Sequence, residues 1–84
     1  MTYTQKTTVP GKPTRTREIT ESTLIRLMSQ VVINKQCGEI NEWRCIYTPD
    51  YTRVIRYELI RQLKGIGEAV THFIPNGEQE TELE

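Results

Sequence analysis

Leu24, Leu27, Met28, Val31 and Val32 recur at the i, i+3, i+4, i+7, i+8 spacing of one helical face, which predicts a helix over residues 20–35. Thr20 can cap its start, Glu21 suits the first turn, Ile19 can staple onto Leu24, and Gly38 terminates it. The β-branched run Val31-Val32-Ile33 would also fit a strand turning at residues 35–38, although the apolar stripe favours the helix. Residues 39–48 alternate. Asn41, Trp43, Cys45 and Tyr47 point one way, while Ile40, Glu42, Arg44 and Ile46 point the other, which predicts a half-buried strand with the Trp–Cys–Tyr face inward.

Pro49-Asp50 breaks that strand, and Asp50 or Thr52 can cap a second helix running to about Lys64. At about 100° per residue, Ile55, Leu59 and Leu63 share one face of this helix, continued by Ile66. The opposite face collects Arg53, Tyr57, Arg61 and Lys64, with Arg56 at its edge and Glu58 as its one acid. Gly65 ends the helix, and residues 68–74, rich in Val, Thr, Phe and Ile, read as a closing strand. Thr2 to Val9 is a weaker strand candidate at the N-terminus.

The expected fold is therefore α+β, a small single domain of order α-β-α-β with an N-terminal edge-strand candidate. Its two strands, joined by a helix, would run parallel through a right-handed crossover. A sheet this narrow is poorly stable alone, so a third strand or a second copy of the chain is expected to complete it. The expected core is Leu24, Met28, Val31, Trp43, Cys45, Ile55, Leu59, Leu63 and Phe73.

Charge changes this picture through its distribution. The 84 residues carry 11 Lys+Arg and 11 Asp+Glu, a formal net charge of zero, and only 36% are hydrophobic. Residues 1–18 hold Lys6, Lys12, Arg15 and Arg17 against Glu18, a net of +3, while residues 75–84 hold Glu78, Glu80, Glu82 and Glu84 and no base. Neither end has enough apolar surface to offset its ordering entropy. The expected organisation is a flexible basic arm over 1–18, a compact domain over 19–74 and an acidic disordered tail over 75–84.

Several function classes drop out. No apolar run approaches the roughly 18–20 residues needed to span a bilayer, and residues 1–9 lack the apolar core of a signal peptide. A cytoplasmic chain without a membrane partner is expected, with Cys37 and Cys45 as reduced thiols, although one disulfide between them is sterically allowed. His72 is the single histidine, and no C-x-x-C, H-x-x-x-H, phosphate-loop or nucleophile-elbow spacing occurs. No catalysis, metal or cofactor is expected; a Cys–His pair is the one nucleophilic arrangement left open.

Binding is better supplied. The Arg53–Arg56–Tyr57–Arg61–Lys64 face could neutralise phosphates or carboxylates while its tyrosine stacks or fills a pocket, or it could be a solvated face. Gly11-Lys12-Pro13-Thr14-Arg15-Thr16-Arg17 could order on a nucleic acid through Arg15 and Arg17, or stay solvated. Leu63-Lys64-Gly65-Ile66-Gly67 resembles the turn of helix-hairpin-helix DNA-binding modules, which implies backbone N–H groups facing a phosphate; a simple helix cap is the alternative. Residues 45–74, in the order strand, proline, helix, glycine turn, strand, are similar to the small linker domain of phycobilisomes, a likeness that implies fold more than function. The expectation is a non-catalytic protein-binding module (an adaptor, assembly factor or regulatory inhibitor), acting as a homodimer. A nucleic-acid-binding regulator using the arm and the same helix is the alternative.

Overall fold

Thr20 caps the one helix as its position suggests: its hydroxyl accepts from the Thr23 backbone N–H at 3.2 Å, with Glu21 in the first turn and Lys35 in the last. In the computed structural model, which describes residues 1–76, the elements are β1 (Thr2–Thr8), β2 (Arg15–Thr20), α1 (Glu21–Gln36), β3 (Asn41–Tyr47), β4 (Val54–Leu63) and β5 (Gly67–Pro75). They form one five-stranded sheet in the order β2-β1-β5-β4-β3, with every neighbouring pair antiparallel.

The α-β-α-β order is thereby corrected to β-β-α-β-β-β, and the expected parallel crossover is absent. The cause lies in residues 54–63. Ile55, Leu59 and Leu63 lie four apart, a spacing that fits one helical face and, being even, one strand face equally well. Tyr57 and Arg61 discriminate, because a helix turns them away from Leu59 whereas a strand places them on its side. Val54, Ile55, Tyr57 and Ile60 favour extended backbone, and β4 finds partners on both sides, pairing Leu59 with Trp43 and with Thr71. Gly65 occupies the third position of a tight turn closed by the Ile66 N–H on the Leu63 carbonyl, at a φ of 77° that a type II turn requires. The glycines thus close a β-hairpin. Neither the helix-hairpin-helix likeness nor the linker-domain likeness survives, since both need a helix before Gly65.

The basic arm is likewise corrected. Residues 2–8 and 15–20 are strands, and β1 lies inside the sheet between β2 and β5. Backbone pairing along both edges of β1, with Tyr3 and Ile19 buried at one end, supplies what the arm's composition lacks. Asn76 reinforces that end: its amide donates to Thr2 Oγ1 at 2.7 Å, and its Oδ1 accepts from Thr4 Oγ1 at 2.6 Å. Of the expected acidic tail over 75–84, Pro75 ends β5 and Asn76 is bonded as above, and residues 77–84 lie outside the described residues.

One sheet face carries α1, whose Leu24 is buried with Tyr3, Ile19, Leu59 and Phe73; Leu27, Met28, Val31, Trp43 and Tyr57 pack around that cluster. Of the expected core, Cys45 and Ile55 are instead exposed. Both follow from the path of α1, which starts where β2 ends and finishes beside the start of β3 at the opposite edge. It crosses the sheet diagonally and leaves two corners of that face uncovered. No helix among the described residues is long and apolar enough to cross a membrane.

Candidate functional site

The two uncovered corners hold most of the candidate binding residues, and they differ in chemistry. The first lies where β1 ends and β2 begins, beside the loop that joins them. Gln5, Thr7, Arg15 and Arg17 surround a depression of about 460 Å³ there, and Arg17 Nε donates to Gln5 Oε1 at 2.7 Å. Period-two alternation places both arginines on the α1 side of the edge strand.

The second corner lies at the opposite end, where β1 begins, β4 begins and β5 ends. Met1, Tyr3, Arg53, Ile55, Tyr57 and Pro75 line a groove of about 480 Å³. Beside it on the β3–β4 side are two more aromatics, with Tyr47 and Tyr51 rings 6.0 Å apart. Tyr57 is the anchor, its ring 6.2 Å from Tyr3 and 6.1 Å from Trp43. Burial, with the neighbouring Cys45 and Glu21, pushes its phenol above the ordinary value. The neighbouring Cys45 side chain, more than burial, raises the Tyr47 phenol. Both tyrosines are neutral donors at neutral pH.

The rim is built by a short loop with a definite hydrogen-bond pattern. Asp50 Oδ1 accepts from Thr48 Oγ1 at 2.6 Å, Thr52 Oγ1 at 2.8 Å and the Thr52 N–H at 3.2 Å, while the Arg53 N–H donates to Thr48 Oγ1 at 3.3 Å. These donors favour the charged carboxylate and hold its pKa down to about 2. The same loop forces Tyr51 to a φ of 61°, where a bulky side chain is strained.

The expected Arg53–Tyr57–Arg61–Lys64 face does not exist as a unit. Arg61 lies on the α1 side of β4, where its Nε donates to Glu39 Oε2 at 3.0 Å. Arg56 lies on the opposite sheet face, 2.8 Å from Glu58, whose carboxylate is also 3.5 Å from His72 Nε2. Lys64 sits in the β4–β5 turn. Only Arg53 and Tyr57 meet in the groove, and only Arg15 and Arg17 meet in the other corner. Among the described residues, the Arg53 and Arg15 guanidiniums make no carboxylate contact within 4 Å.

Sequence reading missed Met1, Tyr3, Ile55, Pro75 and the loop tyrosine Tyr51. Tyr47-Thr48-Pro49-Asp50-Tyr51 carried a usable signal, an aromatic on each side of a Pro–Asp break. Met1 and Pro75 carried none, because only sheet pairing brings the two ends of the chain together. Both cysteines are free and exposed. Among the described residues no three His, Cys, Asp or Glu converge as a metal site would need. In comparison with family models, curated proteins and solved structures, the chain finds no match.

Proposed function

We propose that this protein is a small non-catalytic protein-binding module. Its docking site would be the groove lined by Tyr3, Arg53, Ile55, Tyr57 and Pro75, and its ligand an extended peptide presenting a large apolar side chain beside a carboxylate. The observation that carries the reading is an apolar, aromatic-walled groove of about 480 Å³ with the Arg53 guanidinium on its rim. Among the described residues no Asp or Glu lines it, Glu21 lying near Tyr57 outside the lining. Aromatic residues and arginine are the side chains that dominate binding hot spots. Tyr51, 79% exposed, adds an aromatic surface that packing within the chain does not need.

A selection from a displayed random-peptide library on the immobilised full chain tests this. Recovered peptides should share an aromatic or large aliphatic residue next to Asp or Glu. They should lose at least about tenfold in affinity on R53E and on Y57A, as hot-spot substitutions do. Peptides that bind both variants as well as the wild type would overturn the reading.

Nucleic-acid binding is the second reading, favoured by one observation: Arg15 and Arg17 share the other corner with Gln5 and no acid. It requires binding of duplex or single-stranded probes with a steep salt dependence, and a slope reduced by about one for each arginine removed. Salt-independent retention, or none, would dispose of it.

A further inference from the structure

Among the described residues β3 is an edge strand, and the backbone groups it leaves unpaired there can be identified. The Gln62 N–H bonds the Ile40 carbonyl at 2.9 Å across the β3–β4 ladder, in which Asn41 opposes Arg61. Antiparallel alternation then turns the backbone groups of Ile40, Glu42 and Arg44 toward β4 and those of Asn41, Trp43 and Cys45 out into the open edge. An exposed row of this kind is a template for another strand. From these features we propose that β3 pairs antiparallel with β3 of a second copy, with Trp43 on the two-fold axis, making one continuous ten-stranded sheet.

Charge selects both the partner and the register. A two-fold β3–β3 contact sets one residue opposite its own copy. With Glu42 on the axis, two carboxylates face each other; with Arg44 on the axis, two guanidiniums do. Placing Cys45 there leaves Arg44 opposite Ile46. Within one chain Arg44 Nε donates to Glu42 Oε2 at 3.0 Å. With Trp43 on the axis each Glu42 also faces the other copy's Arg44. The two intrachain pairs then join into a four-charge cluster of alternating sign on the exposed sheet face, with Ile40 opposite Ile46 beyond it. The outward backbone groups of Trp43, and of Asn41 against Cys45, are then the ones that bond. The Trp43 ring leaves room on the axis, because it leans inward to lie 5.5 Å from Phe73.

Two further features fit a second copy at this edge. The β2 edge lacks such self-complementarity: its central registers oppose Arg17 with Arg17, Arg15 with Arg17, or Glu18 with Glu18. On α1, Gln30 and Asn34 face the groove shared with Gln5 and Thr7. Helical periodicity turns Ile25 and Val32 to the opposite flank, toward the β3 side, where they are 56% and 55% exposed. The dimer directs these flanks toward one another above the extended sheet and leaves each Arg53–Tyr57 groove open at its far end.

Light scattering and sedimentation equilibrium of the full chain over a concentration series test the proposal, with circular dichroism to verify folding. The wild type should dimerise. E42R and R44E should each weaken the dimer by at least about tenfold, because each turns two attractive pairs into repulsive ones. The double variant E42R/R44E should restore it, and an equimolar mixture of the two single variants should form a heterodimer that neither forms alone. Each single variant also removes the exposed Arg44–Glu42 pair within the chain, a solvent-screened surface contact worth little, so the variants should keep the monomer fold. A wild type that stays monomeric throughout, single variants that dimerise like the wild type, or a mixture that forms no heterodimer would each overturn it.

Discussion

Arg61, near the end of the sheet's longest strand, donates its Nε to Glu39 Oε2 at 3.0 Å, joining β4 to the connection between α1 and β3. The other Glu39 oxygen accepts from Asn41 Nδ2 at 2.9 Å, and the same amide reaches the Val31 carbonyl of α1 at 3.3 Å. One carboxylate therefore fastens the helix end, the β3 start and β4 together.

Arg61, then Asn41, hold the Glu39 carboxyl below its ordinary pKa. A carboxylate depressed in the folded state stabilises it above the unfolded pKa, and that contribution fades as pH falls through the folded value. R61M should lower stability at neutral pH by about 0.5–1 kcal/mol, because the pair is partly exposed. The gap between variant and wild type in urea unfolding should close as pH is lowered through the carboxylate range. A gap independent of pH would place the effect in lost packing.

Asp50 should titrate near a pH of about 2 by carboxyl NMR, well below an ordinary aspartate. The loop's hydrogen bonds are then complete above the unfolded aspartate's pKa and are lost as pH falls toward that midpoint. D50A should abolish the downfield position and slow exchange of the Thr52 amide at neutral pH while leaving the sheet amides unchanged.

Tyr51 separates backbone strain from ring chemistry. Asn tolerates a positive φ and Val does not. Y51V should cost at least about 1 kcal/mol more than Y51N in denaturant unfolding, although both remove the ring. Both should weaken the selected peptides equally, since the ring beside Tyr47 is what the ligand would touch. Equal stabilities would mean that the loop relaxes out of the strained conformation.

Phe73, at 1% exposure, is the most deeply buried large side chain. F73A should destabilise by about 3–5 kcal/mol, through lost burial and the cavity left behind. I66A, at an exposed turn position, should stay within about 0.5 kcal/mol of the wild type. Chemical denaturation of the two variants side by side gives the contrast.

Much of the local structure is legible in the sequence. The α1 stripe from Leu24 to Val32, its Thr20 cap, the alternation of β3 and the β-rich run of β5 each carry a single dominant period, and each appears within a residue or two of its expected limits. Residues 54–63 carry two periods at once. The Thr2–Val9 candidate is legible as extended chain, but it has too few apolar positions to show that it lies inside the sheet, and β2 gives no strand signal. For β4 and β1 the decision rests on pairing with strands distant in sequence, a contribution local pattern does not contain.

The candidate site divides along the same line. Sequence by itself determined that Arg53, Tyr57, Arg15 and Arg17 are cations and an aromatic suited to binding, and that Glu42 and Arg44 flank Trp43 on one strand. Only the tertiary structure decided which of them act together. The diagonal path of α1 leaves two corners bare, a strand in place of a helix sends Arg56 to the other face, and Glu39 engages Arg61. The physical reason is that charge and aromaticity belong to a residue, whereas facing, burial and partnership are set by the neighbours that a folded sheet brings to it.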